Sequence, residues 1–404
     1  LEENMAVTRF LPVPSDRMGA LWNLLALEDA CVLEYGPAGT THYGISLLGE
    51  LGLSVNGRYF VTHMNESDVV MGDTRNLEEA VLEIDQRQKP AHLFVVGSSV
   101  STTIGTDLTG ICHYLQEEVQ AKLHVHNSGG FAGDYLVGTE EVYRMLGEIA
   151  LGWEEKELSQ PLRTPSCNLL GFSPDHFRLE SDLVELEDML EEALDITVAS
   201  TFVVRGAIRD LDRARQAAVS LVLRKEALPL AQALKEKWGI PYLEVCFYGY
   251  DATRSSLQAI GQILGRTLSR SFQEKLEKRK RQVAYFPMYL RKIGSEIHFY
   301  SLGPSFLNEG LAAAMSPLGI RFEQQLLPVE EEKSRLQAIR SWKEGMVFAD
   351  QQTLNLVDSS NYPLLTSFPW FESRIYASHL PFMGLRGMDF LAEQLMTYLL
   401  RRGL

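Results

Sequence analysis

Asp29-Ala30-Cys31-Val32-Leu33-Glu34-Tyr35-Gly36-Pro37-Ala38-Gly39 is the stretch that decides the fold. A short, mostly apolar run closes on a Gly-Pro pair. Such a run predicts a buried strand that empties into a loop. The theme recurs in His92-Leu93-Phe94-Val95-Val96-Gly97-Ser98-Ser99, and again in Lys122 to Asn127 followed by Ser128-Gly129-Gly130-Phe131. Between the first two, Leu77 to Gln86 predicts a helix, because Leu77, Ala80, Val81 and Ile84 share one face. A further helix is expected from about Gly105 to Val119.

The same alternation continues beyond a break at Ser159-Gln160-Pro161-Leu162-Arg163-Thr164-Pro165. Strands are expected at Cys167–Phe172, Ile196–Val204 and Tyr242–Phe247. Helices are expected at Asp182–Ala193, from Leu211 to Ala218, at Ala227–Trp238 with Gly239 as its cap, and over Asp251–Arg279. The basic run Lys275 to Arg281 reads as a solvated helix end. The pattern restarts at Gln282, with strands near Ile297–Leu302, Ile320–Gln325 and Met346–Ala349 and a terminal helix over Phe390–Arg401. Alternating strands and helices predict an α/β protein with parallel sheets and crossover helices. The breaks divide it into three α/β units, 1–160, 161–281 and 282–404. In such sheets ligands bind at the carboxyl ends of the strands.

Composition narrows the function. Lys and Arg number 38 against 53 Asp and Glu, a formal net charge of −15, which argues against nucleic acid as the main ligand. No apolar run is long enough to span a membrane, and the first residues show no apolar core of signal-peptide length, so a cytoplasmic protein is expected. The four cysteines, at 31, 112, 167 and 246, are too scattered for a disulfide scaffold or a zinc ribbon. No dinucleotide fingerprint, phosphate-binding P-loop or nucleophile elbow is present. His124-x-His126 and Cys112-His113 read as packing residues rather than metal ligands.

Several segments together resemble the component 1 family of nitrogenase. That family includes the subunits of the iron–molybdenum protein, the scaffold pair that assembles its cofactor, the protochlorophyllide and chlorophyllide reductases, and the nickel-tetrapyrrole and methylthio-alkane reductases. Met18-Gly19-Ala20 and Tyr35-Gly36-Pro37-Ala38-Gly39 look like its first strand and cluster loop. Glu66-Ser67-Asp68-Val69-Val70-Met71-Gly72-Asp73 with Leu77-Glu78-Glu79-Ala80, Ile104-Gly105-Thr106-Asp107-Leu108, and Ser128-Gly129-Gly130-Phe131-Ala132-Gly133 follow in family order. So do Cys167-Asn168-Leu169-Leu170-Gly171, Glu236-Lys237-Trp238-Gly239-Ile240-Pro241-Tyr242, and Phe368-Pro369 with Pro381-Phe382-Met383-Gly384-Leu385-Arg386-Gly387.

The resemblance implies three Rossmann-like domains around a central cavity. It implies a homologous partner subunit, an iron–sulfur cluster shared across the interface, and an ATP-dependent iron–sulfur reductase that delivers electrons. This sequence departs at the cluster. The three cysteine positions of the family fall at Ser15, Thr40 and Ser99, with Thr41 as the neighbouring alternative. His42 and Glu34 are the stronger ligand types that border the loop. Gly36 and Gly39 are expected to permit close backbone approach there. The cofactor cysteine and histidine of the nitrogenase catalytic subunit fall at Leu223 and near Met383.

Two kinds of function follow. One is an oxidoreductase subunit whose partner supplies most or all of the cluster ligands. The other is a cluster-free scaffold that holds a tetrapyrrole or metallocluster, or a non-catalytic subunit that completes an active partner.

Overall fold

The structure, a computed structural model, describes residues 10, 12–55, 57–156, 165–293, 297–328, 331–370 and 380–402. Most of the Ser159–Pro165 break therefore lies outside the described residues. Among the described residues twelve strands form three four-stranded sheets, each wholly parallel. The first holds β1 (Cys31–Tyr35), β2 (Tyr59–Val61), β3 (His92–Gly97) and β4 (Lys122–His126). The second holds β5 (Ser166–Phe172), β6 (Thr197–Val203), β7 (Val219–Val222) and β8 (Tyr242–Glu244). The third holds β9 (His298–Leu302), β10 (Gln324–Leu326), β11 (Gly345–Ala349) and β12 (Tyr362–Leu365). Each has the same strand order, second-first-third-fourth.

Burial follows from this layering. β1, β3, β5 and β11 are buried along their whole length, because helices cover both faces of a parallel sheet. One continuous apolar core joins the first and second sheets through Trp22, Tyr135, Leu170, Phe202 and Phe368. Another joins the second and third through Phe172, Leu186, Phe247, Leu311, Phe348 and Leu391.

Several sequence expectations are corrected. The helix expected over Gly105–Val119 is shorter, Leu108–Leu115, and a separate short helix, Ser99–Thr103, ends before Gly105 at φ +74°. The helix expected over Asp251–Arg279 is two helices, Tyr250–Leu264 and Arg270–Val283. Gly265 ends the first in the left-handed region, and Ser269 caps the second by accepting from the Phe272 N–H. The helix expected from Leu211 stops at Ala214, and the chain then enters β7.

Two helices cross at unusually short range beside the first sheet. A Cβ on Gly138 of the Tyr135–Leu151 helix would stand 1.8 Å from the Asp16 carbonyl oxygen. A Cβ on Gly19 of the Asp16–Ala26 helix would stand 2.1 Å from the Tyr135 carbonyl oxygen. Asn23 locks the crossing, donating to the Gly19 carbonyl at 2.8 Å and to Thr139 Oγ1 at 2.9 Å.

The start of the Asp16–Ala26 helix is also pinned to the loop after β4. Asp16 is fully buried; it accepts from Ser128 Oγ and, at 3.1 Å, from the Ala132 N–H. His126 Nε2 lies 2.9 Å from Ser128 Oγ and 3.6 Å from the Asp16 carboxylate. Burial alone would lower the His126 pKa, but hydrogen bonds to Asp16 and Glu141 outweigh it and raise the value. Burial likewise opposes ionisation of Asp16, and His126 and Ser128 outweigh it to lower that pKa.

Two predictions follow from these contacts. Gly138→Ala should destabilise the chain by about 3 kcal/mol through overpacking against backbone, read as a lower urea midpoint. An unchanged midpoint would refute the close crossing. The raised His126 stabilises the fold at low pH and loses that effect as pH rises through its folded pKa; the lowered Asp16 loses its effect as pH falls. The pair therefore contributes most between about pH 4 and 6.5, the ordinary carboxylate and imidazole values. The stability gap between the native chain and His126→Gln should be widest near pH 6 and should narrow by pH 8.5. A gap that does not change with pH would rule out the ion pair.

Candidate functional site

The carboxyl end of the first sheet is built from helix starts. β1 passes through Gly36-Pro37 into the Ala38–Glu50 helix, and β3 passes through Ser98 into the Ser99–Thr103 helix. β4 passes through residues 127–134 into the Tyr135–Leu151 helix. Ser15 precedes the Asp16–Ala26 helix and bridges to Asp134. The loops touch in series. A Cβ on Gly36 would lie 2.5 Å from the Ser98 Cβ, one on Gly129 would lie 2.5 Å from Thr102 Oγ1, and one on Gly130 would lie 2.9 Å from Ser15 Oγ. The structure thus places Ser15, Gly36 and Ser99 along one connected rim.

The expected loop at Ala38-Gly39 is helical instead, because the Ala38–Glu50 helix begins directly after Pro37. Of its two glycines, Gly36 alone is crowded, for nothing lies within 4 Å of a Cβ on Gly39. Thr40 Oγ1 is committed locally, donating to the Pro37 carbonyl at 2.9 Å. His42 is exposed. Thr41 is buried and donates to Glu34 Oε2 at 3.1 Å. Glu34, fully buried, also takes an ion pair from Arg17 and a hydrogen bond from the Tyr59 hydroxyl. Burial first, and then the Glu34 charge, push the Tyr59 phenol pKa well up. Glu34 is therefore consumed inside the first sheet rather than offered to a ligand. The sequence reading missed Arg17 and Ser98, which fix this rim from neighbouring segments.

The residues present do not fit an iron–sulfur cluster held by this chain alone. Thiolates are the usual ligands of such clusters, and the three positions that the resemblance assigns carry hydroxyls at Ser15, Thr40 and Ser99. The four thiols lie elsewhere. Cys31 starts β1, Cys112 lies in the Leu108–Leu115 helix and Cys167 lies in β5, all buried; Cys246 follows β8. Burial pushes the Cys31 and Cys112 pKa values up to about 11 and that of Cys167 to about 12, which holds them as thiols. Among the described residues no group of three or more His, Cys, Asp or Glu is placed to hold a metal ion. His124 and His126 do not act together: His124 meets His92 at 3.0 Å, whereas His126 faces Asp16.

A second candidate lies at the carboxyl end of the second sheet. A cavity of about 500 Å³ opens between the ends of β7 and β8 and the Ser305–Met315 helix. Leu223, Arg224, Cys246, Phe306, Glu309 and Met383 line it. Arg224 is almost fully buried, 3.1 Å from both Asp175 oxygens and from Glu226, with its guanidinium 4.6 Å from the centre of the Phe306 ring. The cavity brings together Leu223 and Met383, which lie 160 positions apart (383 − 223). Among the described residues no helix is long and apolar enough to cross a membrane.

Comparison with known proteins agrees with this architecture. The nitrogenase iron-molybdenum cofactor biosynthesis protein NifE of Nostoc sp. is 25% identical over 399 residues, covering 93% of this chain and 81% of that protein. The Klebsiella pneumoniae protein of the same name is 28% identical, over 66% of this chain and 59% of its own length. The nitrogenase molybdenum-iron protein alpha chain of Methanothermobacter marburgensis is 27% identical, over 69% of this chain and 61% of its own. The solved structure of nitrogenase Cp1 at pH 6.5 superposes with a TM-score of 0.72 at 16% identity, covering 100% of this chain and 96% of that one. That likeness is one of fold. The sequence profile of the nitrogenase component 1 type oxidoreductases matches residues 15–293. The chain belongs to the nitrogenase component 1 type oxidoreductase family.

Proposed function

We propose that this chain is one subunit of a nitrogenase-like oxidoreductase assembly in the cytoplasm, paired with a homologous subunit that carries the thiolates of an iron–sulfur cluster. Its own contribution is the cavity beside Leu223 and Met383, where the ligand to be reduced is held. An ATP-dependent iron–sulfur reductase supplies electrons to the partner's cluster. The observation that carries the reading is the rim of the first sheet, which keeps the crowded Gly36 turn but bears hydroxyls at Ser15, Thr40 and Ser99. The fold is thus arranged for a cluster-bearing partner without supplying its sulfur. Each of the segments 1–160, 161–281 and 282–404 is centred on one sheet, which supports reading them as three domains.

Within the cavity this chain can hold and orient a ligand. Arg224, fixed by Asp175 and Glu226, keeps a charged guanidinium beside the Phe306 ring, and Leu223 and Met383 offer apolar contact. A second reading is that the chain holds a tetrapyrrole or metallocluster cargo without reducing it. The relatives named for iron-molybdenum cofactor biosynthesis favour that reading.

Two experiments test the proposal. The chain would be purified anaerobically alone and together with its homologous subunit, and iron and sulfide assayed with a visible spectrum. Alone it should carry neither, and the pair should carry both, unchanged by Thr40→Ala. A pair without iron would sink the redox reading and leave the cargo role. Leu223→Trp, which fills the cavity, should abolish reduction while leaving subunit pairing and iron content intact; retained turnover would remove the cavity from the mechanism.

A further inference from the structure

The Arg270–Val283 helix carries a dense run of cations, and many of them are spent within the chain. Arg270 pairs with Glu274 at 2.8 Å, Lys275 with Glu192 at 2.6 Å, Arg279 with Asp389, and Lys280 with Asp251. Lys278 and Arg281 are exposed, and among the described residues neither has a carboxylate partner. The next helix, Phe286–Ile293, extends this surface. Phe286 is buried, but Tyr285, Met288 and Tyr289 are 39%, 50% and 43% exposed. Tyr and Met are residue types enriched where proteins dock, and the spacing of Tyr285, Met288 and Tyr289 puts them on one outward face of the helix.

A cleft lies along the same helix. It measures about 540 Å³ and runs between Pro287 and Leu290 on one side and the Gly319-Ile320-Arg321 segment on the other. Ile297 and Phe299 also line it. Gly319, at φ +81°, makes the left-handed turn that brings the Ile320-Arg321 wall against Pro287. Arg291 and Arg321 complete the lining, both exposed. Arg291 spends one N–H on the Pro287 carbonyl at 3.0 Å, and among the described residues neither arginine has a carboxylate partner. An apolar floor with two unpaired guanidinium groups asks for an apolar group flanked by negative charge. On a chain of net charge −15, two exposed cations at one cleft form a local positive patch that complements an acidic partner.

We propose that the cleft between the Phe286–Ile293 helix and Gly319–Arg321 is a docking site for an acidic peptide segment of a partner protein, with an apolar side chain seated between Leu290 and Ile320 and carboxylates on Arg291 and Arg321. The site lies outside both the first-sheet rim and the cavity at Leu223, and it does not depend on either.

The test uses the full chain and a labelled hexapeptide, a Leu-Phe pair between two pairs of glutamates, with its glutamine counterpart. Fluorescence anisotropy should show the glutamate peptide binding at least tenfold more tightly, with affinity falling as salt rises. Arg291→Glu with Arg321→Glu should abolish binding, and Arg291→Gln with Arg321→Gln should weaken it at least tenfold, each with an unchanged urea midpoint. Equal binding of the two peptides, or binding that survives the charge reversal, would overturn the proposal. Binding of laurate or of phosphatidylglycerol vesicles in place of the peptide would also overturn it, by assigning the cleft to a lipid.

Discussion

Two buried carboxylates on the Leu179–Leu194 helix hold the last helix of the fold in place. Asp182 Oδ1 accepts from the Phe382 and Met383 N–H groups at 2.6 and 2.8 Å, while its other oxygen meets His176 Nε2 at 2.6 Å. Glu185 accepts from the Arg386 N–H at 3.0 Å and forms an ion pair with the Arg386 side chain. These are the N–H groups that the start of the Gly384–Arg401 helix cannot satisfy for itself. Gly384 is required at the junction, with φ +71° and room for a Cβ denied by Glu185 at 2.4 Å. The position of Met383, and so one wall of the cavity, depends on this contact between distant segments.

Much of the architecture could be read from local pattern, because a parallel sheet buried on both faces leaves continuous apolar runs closed by Gly or Pro. β1, β3 and β5 show this plainly, and Gly239 marks its helix end as expected, with φ +71°. β2, β7 and β12 escaped; they are short, but so are β8 and β10, which were expected, and so length alone does not hide a strand. In β7 the run Val219-Ser220-Leu221-Val222 follows two alanines that read as helix. Its partners β5 and β8 come from other parts of the chain, and only they make it a strand.

The sites were legible in a different way. The positions Ser15, Thr40 and Ser99 came from family resemblance, and the structure adds the rim that links Ser15, Gly36 and Ser99. Charge was the poorest guide. The helix expected at 182–193 is rich in acids, yet Asp182 and Glu185 turn inward to backbone donors some 200 residues away. Glu34 reads as a ligand type at the loop's border and is instead clamped by Arg17, Thr41 and Tyr59. A partner that lies elsewhere in the chain leaves no periodic trace around the residue it satisfies.

The contact at Asp182 also constrains how the chain can be made. Asp182 and Met383 are 201 residues apart. At a synthesis rate of about 5–20 residues per second Asp182 waits at least about ten seconds for the segment that donates to it. Through that interval the apolar face later covered by Leu391, Leu395 and Leu399 stays open. The nascent chain thus passes through a stage with two finished sheets and an uncovered flank, the state in which a chaperone has most to protect.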